Sequence, residues 1–214
     1  MYMIIVTDGA QGGTHTAIPR GPELARVRTE EARCAANALG IHAPIFLGFP
    51  DGKLGDYTED PARLFRLTQR MHEELQRLAP DALITWGPDG GTGHPDHRIV
   101  SNIVTQLVRA GAPGIPERLF YAAVPLEVMR AINPGRGEPP MLIPLAKHFN
   151  VRVPFTPTDF EVSGNAMRCH KTQLPEERVR RIADASKTLQ TNGVLPLAPA
   201  LATGGGNDVF NSTR

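Results

Sequence analysis

Four short apolar runs alternate with three longer amphipathic stretches over the first 124 residues of this 214-residue chain. No other feature limits its possible folds as strongly. Residues 2–6 form a partly β-branched run that ends at Thr7-Asp8-Gly9, and residues 45–49, 82–86 and 119–124 repeat the pattern. Between the first two runs, Pro22 suits a first helical position and Gly40 a stop after Leu39. Leu24, Val27, Ala32, Ala35 and Leu39 would be that helix's inward stripe. Asp60 is placed to cap a second helix with Pro61 in its first turn, and Leu64, Leu67, Met71, Leu75 and Leu78 follow at helical spacing. Ile99, Val100, Ile103, Val104, Leu107 and Val108 line a third helix, stopped by Gly111.

A β-α-β-α-β-α-β order predicts an α/β fold: a Rossmann-like, mostly parallel sheet with helices on both faces. Ligands in such sheets sit beyond the carboxyl ends of the strands. Nine prolines between positions 113 and 157 predict loops and short edge pieces. Residues 163–189 read as helical, broken near Pro175, and residues 203–214, with Gly204-Gly205-Gly206, read as a mobile tail. The chain reads as one domain, with 41% hydrophobic residues to build a core. A net charge of +1 argues against a broad nucleic-acid footprint. No apolar run approaches the roughly 18 residues of a membrane span, and no signal peptide is readable. Cys34 and Cys169 cannot make a disulfide framework, so the expectation is a cytoplasmic chain. No signal of oligomeric state is legible.

The third strand runs into Gly87-Pro-Asp-Gly-Gly-Thr-Gly-His94-Pro-Asp96-His97, and a helix follows. Two imidazoles three residues apart at a rigid turn can bind a metal, or divide metal binding and proton transfer between them. A turn with surface histidines and a capping aspartate is the plain alternative. The grouping of two imidazoles, a carboxylate and a glycine loop at one strand end favours chemistry. The absence of G-K-[ST], and of a third glycine after Gly91-x-Gly93, sets aside nucleotide binding.

The stretch from Trp86 to Arg98 resembles the second motif of the LmbE-like deacetylases, also called the PIG-L family. Further segments agree in order. Thr7-Asp-Gly-Ala-Gln-Gly-Gly13 resembles the family's T-x-G-x-x-G loop. Arg28-x-x-Glu31-x-x-x-Ala35-x-x-x-Leu39-Gly40 resembles its first long helix, and Phe49-Pro-Asp51-Gly52 its F-x-D-G loop. Ala166-x-x-x-His170-x-Thr172-Gln173 resembles a late A-x-x-x-H-x-[ST]-Q segment, and Asp208-Val-Phe210 is a weaker match to the terminal E-x-F. The likeness spans roughly residues 2–175.

The resemblance implies zinc-dependent (Zn2+) hydrolysis of the N-acetyl group of an N-acetylglucosamine-type conjugate, a small-molecule partner rather than nucleic acid or membrane. It implies His97 as a zinc ligand and His94 as oxyanion stabiliser or general acid, with Asp96 orienting His94. Arg28 and Asp51 match positions that contact substrate. For Asp96 a plain helix cap, and for Asp51 a turn-forming Asp-Gly, remain equal or near-equal alternatives. His15 and His170 are left open, and Trp86 reads as core rather than a sugar platform. The family also carries an A-H-P-D-D-E motif that supplies two further zinc ligands and the general base, and no histidine here is followed by Pro-Asp-Asp. The expectation is therefore an N-terminally incomplete chain with weak zinc affinity and little activity. A non-catalytic sugar-conjugate-binding or degenerate member is the rival.

Overall fold

The computed structural model describes residues 1–91, 93–122, 130, 151–186 and 194–200. Strand β1 (Ile4–Thr7) leads through the glycine loop to helix α1 (Pro22–Leu39), then β2 (Ile45–Phe49). A 3-10 turn (Leu54–Glu59) precedes α2 (Pro61–Leu78), β3 (Leu83–Trp86), α3 (Pro95–Arg109) and β4 (Leu119–Ala122). Then come β5 (Val151–Pro154), α4 (Pro157–Cys169), α5 (Glu176–Ala185) and β6 (Val194–Pro199). The helix signals act as expected. Asp60 accepts the Arg63 amide at the start of α2. Gly40 closes α1 in the left-handed conformation, φ 65°.

The expected parallel pairings form, but in two sheets. β1 pairs with β2 in parallel, with Ile4 opposite Ile45. β3 pairs with β4 in parallel, from Leu83 opposite Leu119 to Trp86 opposite Ala122. The second sheet has the order β3-β4-β6-β5, and its last two pairings are antiparallel. A single parallel sheet over residues 2–124 is thus corrected to two parallel pairs, one of them extended by an antiparallel edge. Strands β5 and β6 escaped the sequence because Pro154, Pro196 and Pro199 lie in them, and proline argues against an interior strand. The C-terminal helical stretch is α4 and α5, separated at Pro175. The expected tail at 203–214, and Asp208 and Phe210, lie outside the described residues.

One core joins both sheets. Leu67, Met71 and Leu75 of α2 meet Ile103, Val104, Leu107 and Val108 of α3, with Val6, Leu54, Tyr57 and Leu119. Each such side chain contributes about 1.5–3 kcal/mol by leaving water. Helix α1 buries a narrower face, Leu24, Ala32, Ala35 and Ala36, and with them a carboxylate, Glu31. Its packing partner is α4. A disulfide between Cys34 and Cys169, 135 residues apart, joins the two helices, a single bridge that the sequence reading did not foresee. Among the described residues no helix is long and apolar enough to cross a membrane.

Candidate active site

The loops after β1, β2 and β3 meet, and three carboxylates stitch them together. Asp8 Oδ1 accepts the amides of Ala10 (3.0 Å) and Asp51 (3.2 Å). Asp51 Oδ2 accepts those of Gln11 and Gly12, both at 2.9 Å. Asp96 accepts Gly52 through Oδ2 (2.7 Å) and Leu54 through Oδ1 (3.0 Å). A carboxylate that takes two amides satisfies loop donors that no strand or helix reaches.

Arg28, on α1, grips the same glycine loop from its carbonyl side. Its Nη1 donates to Gly9 O at 2.6 Å, its Nη2 to Gly13 O at 2.7 Å and its Nε to Thr172 Oγ1 at 3.4 Å. The cation holds carbonyls and Asp51 holds amides, so each charge meets the complementary end of the peptide dipole. Gly12 is required for this: a Cβ there would stand 2.3 Å from Arg28 Nη1. Burial lowers the Arg28 pKa, and the nearby carboxylates of Asp51 and Glu31 oppose that shift.

His94 and His97 come together, with ring centroids 5.1 Å apart, yet their nitrogens are held in opposite ways. His94 is exposed and is the N-cap of α3, where its Nδ1 accepts the Asp96 amide at 3.2 Å. An accepting Nδ1 puts the ring proton of the neutral imidazole on Nε2. His97 is half-buried and its Nδ1 meets Gly90 O at 2.9 Å. A carbonyl can only accept, so Nδ1 carries the proton and Nε2 keeps its lone pair. The indole of Trp86 lies parallel to the His97 ring, 4.7 Å away. Burial, assisted by His94, lowers the His97 pKa against the opposing pull of the Gly90 carbonyl, Asp96 and Asp51.

Asp96 is 4% exposed, and its carboxylate is committed to Gly52 and Leu54. Among the described residues that carboxylate makes no hydrogen bond to the His94 ring, and the N-cap of α3 is His94 itself. The contact between the two residues runs from the Asp96 backbone to the His94 ring. Asp51 lies within electrostatic range of both Arg28 and His97. His170 ends α4 half-buried, its pKa lowered by burial and by Arg28 while Glu31 opposes. His15 Nε2 stands 3.5 Å from Arg178 Nη1. Trp86 is half-buried and belongs to the His97 surroundings. Sequence reasoning passed over Glu31 and Thr172 as actors, although both stand in quoted motifs. It also missed the disulfide, whose partners are too far apart in sequence for spacing to reveal.

Comparison with known proteins finds relatives of this chain and of its fold. Residues 1–108 match the PIG-L family, described as GlcNAc-PI de-N-acetylase. A 1D-myo-inositol 2-acetamido-2-deoxy-alpha-D-glucopyranoside deacetylase of Corynebacterium urealyticum is 30% identical over 193 residues, covering 77% of this chain and 56% of that protein. The protein of the same name from Corynebacterium diphtheriae is 29% identical over 170 residues, covering 71% and 57%. The chain therefore spans little more than half the length of these relatives. Among solved structures, a conserved protein of Thermus thermophilus superposes with a TM-score of 0.61 at 22% identity, covering 96% of this chain and 84% of that one. The N,N'-diacetylchitobiose deacetylase of Pyrococcus horikoshii superposes with a TM-score of 0.56 at 18% identity, covering 92% and 70%. Both carry the same α/β fold. With half of its length matched by the family and the motif loops in place at the strand ends, the chain belongs to the PIG-L family.

Proposed function

We propose that this chain binds an N-acetylglucosamine-type conjugate and hydrolyses its N-acetyl amide. The observation that carries this is the pair His94 and His97, side by side after β3 with their ring protons on opposite nitrogens. His97, held by a carbonyl at Nδ1, presents the Nε2 lone pair in the manner of a metal-ligating histidine. His94 donates Nε2–H to the acetamide oxygen as negative charge develops there. Arg28 and Asp51 hold the glycine loop in shape. Arg28 spends two of its N–H groups on that task and a third on Thr172, and the remainder, with Asp51 Oδ1, which makes no hydrogen bond among the described residues, suits sugar hydroxyls. A glucosaminyl-inositol conjugate is the first candidate substrate, since the curated relatives are named for one.

A zinc ion would supply a polarised carbonyl and an acidified water. Catalytic zinc takes three protein ligands and an open position. Among the described residues no group of three His, Cys, Asp or Glu could hold a metal ion. These residues do not by themselves fit zinc, so no step is assigned to it. This chain on its own should hold zinc weakly and turn over slowly. The same donor set favours a second possibility, a chain that binds the conjugate without cleaving it.

Calorimetry with N-acetylglucosaminyl-inositol, and with its deacetylated form and inositol as controls, tests the reading. The acetylated conjugate should bind more tightly than either control, and no preference for it would overturn the assignment. A fluorogenic amine assay in the same samples separates hydrolysis from binding alone. In competition with a zinc indicator, His97→Ala should weaken zinc retention and His94→Ala should leave it unchanged. Equal losses would make both histidines ligands.

A further inference from the structure

Glu31 sits on the buried face of α1 among Ala32, Ala35 and Ala36, and is 6% exposed. A carboxylate there is costly unless its oxygens are fully engaged. Both are engaged, and by one residue. Thr172 donates its amide to Glu31 Oε1 and its hydroxyl to Oε2, each at 2.7 Å, across 141 positions of sequence. Thr172 is itself 1% exposed. Its hydroxyl oxygen also receives Arg28 Nε at 3.4 Å, and its carbonyl accepts the His15 amide at 2.9 Å. Every polar group of this threonine is therefore spent on joining α1 to the loop after β1. Three residues upstream, the segment is bonded covalently to α1 through Cys169 and Cys34. His170 lies between the two attachments, within electrostatic range of Glu31 and Arg28.

We propose that Glu31 and Thr172 are a positioning pair. They set residues 169–173 against the glycine loop and fix where Arg28 and His170 stand beside the bound conjugate. Neither residue touches the reacting atoms. A simple packing role would not need an acid, because the neighbouring alanines fill the same face. Nor would it need a hydroxyl, because valine matches threonine in shape. What the pair supplies is direction: two hydrogen bonds onto one residue fix the segment's rotation as well as its distance, and Arg28 is oriented through the shared hydroxyl.

The inference rests on the proposed function for its ligand, so the test uses two readouts. Thr172→Val keeps the shape and the amide bond but loses the hydroxyl. Glu31→Gln keeps the shape and loses the charge. Thr172→Ser restores the hydroxyl. All three are assayed with the disulfide intact and at a temperature where each variant is folded by circular dichroism. Amide exchange at His15 should quicken in Thr172→Val and Glu31→Gln and return to the wild-type rate in Thr172→Ser. Calorimetry with N-acetylglucosaminyl-inositol should give a Kd about tenfold weaker for the first two and near wild type for the third. Unchanged His15 exchange in folded Thr172→Val overturns the pair, whatever the ligand does. Unchanged affinity despite faster exchange overturns its bearing on the site. If the wild-type chain binds no conjugate, the functional assignment fails instead, and the positioning pair stands or falls on His15 exchange.

Discussion

The imidazole of His97 lies flat against the indole of Trp86, with an interplanar angle of 7° and 4.7 Å between ring centroids. Gly91 makes room for that stack: at φ +69° it carries no side chain, and a Cβ there would stand 2.6 Å from Trp86 Cε3. The glycines of this loop thus serve the histidine's own housing.

Removing the indole should release the histidine. Trp86→Ala is expected to cost about 2–4 kcal/mol, less than a fully buried tryptophan because this one is half-exposed. It should also raise the His97 pKa toward the ordinary histidine value, since burial is the main cause of its depression. Denaturant unfolding and an NMR titration of the ring protons check the two effects. A His97 titration unmoved by the substitution would mean that other groups bury it.

Asp96→Asn is expected to act on stability first. The amide oxygen can replace one carboxylate oxygen, but the NH2 group then opposes the N–H of Gly52 or Leu54. One buried donor loses its partner, at about 1–3 kcal/mol. A fall in Tm of roughly 3–10 °C should follow for a chain of this size. Amide exchange at Gly52 and Leu54 should quicken while His94 keeps its bond to the residue-96 amide. A variant as stable as wild type would contradict the bonding seen here.

The half-buried His170 gives the chain a pH dependence of definite sign. Its pKa is lowered in the folded state, so below the ordinary value of about 6.5 the unfolded chain binds more protons. Stability therefore falls as pH drops from that value through the folded one. Unfolding free energies at pH 7.5 and pH 5.5 should differ less in His170→Gln than in wild type. An unchanged difference would assign the acid sensitivity to other groups.

The bond between Cys34 and Cys169 closes a long loop, with Cα atoms 5.7 Å apart. Its loss should cost about 4–5 kcal/mol on chain-entropy grounds. Oxidised protein should take up no thiol label until it is unfolded and reduced. Cys34→Ser should lower the unfolding midpoint and abolish any further effect of reductant. Ready labelling of folded, unreduced protein would disprove the bridge.

Local patterns were enough to locate α1, α2, α3 and the first four strands, because a helix cap, a stripe at spacings of three and four, and a β-branched run act within a few residues. Asp60, Pro61 and Gly40 did in the structure what their chemistry requires anywhere. The loop from Gly87 to His97 was recognisable for the same reason, being contiguous. Strand pairing was not legible. β6 lies between β4 and β5 despite its two prolines, because the neighbours it meets come from distant parts of the chain. The uses of the polar side chains were also out of reach. Arg28 and Asp51 grip one loop from opposite sides, Asp96 turns to Gly52 and Leu54, and Glu31 closes on Thr172 across 141 positions. Sequence alone determined which residues could do chemistry and on which elements they lie, since these follow from local backbone preference. Only the tertiary structure decided which donor meets which acceptor, because each buried polar group must be satisfied by whatever the fold brings within about 3 Å of it.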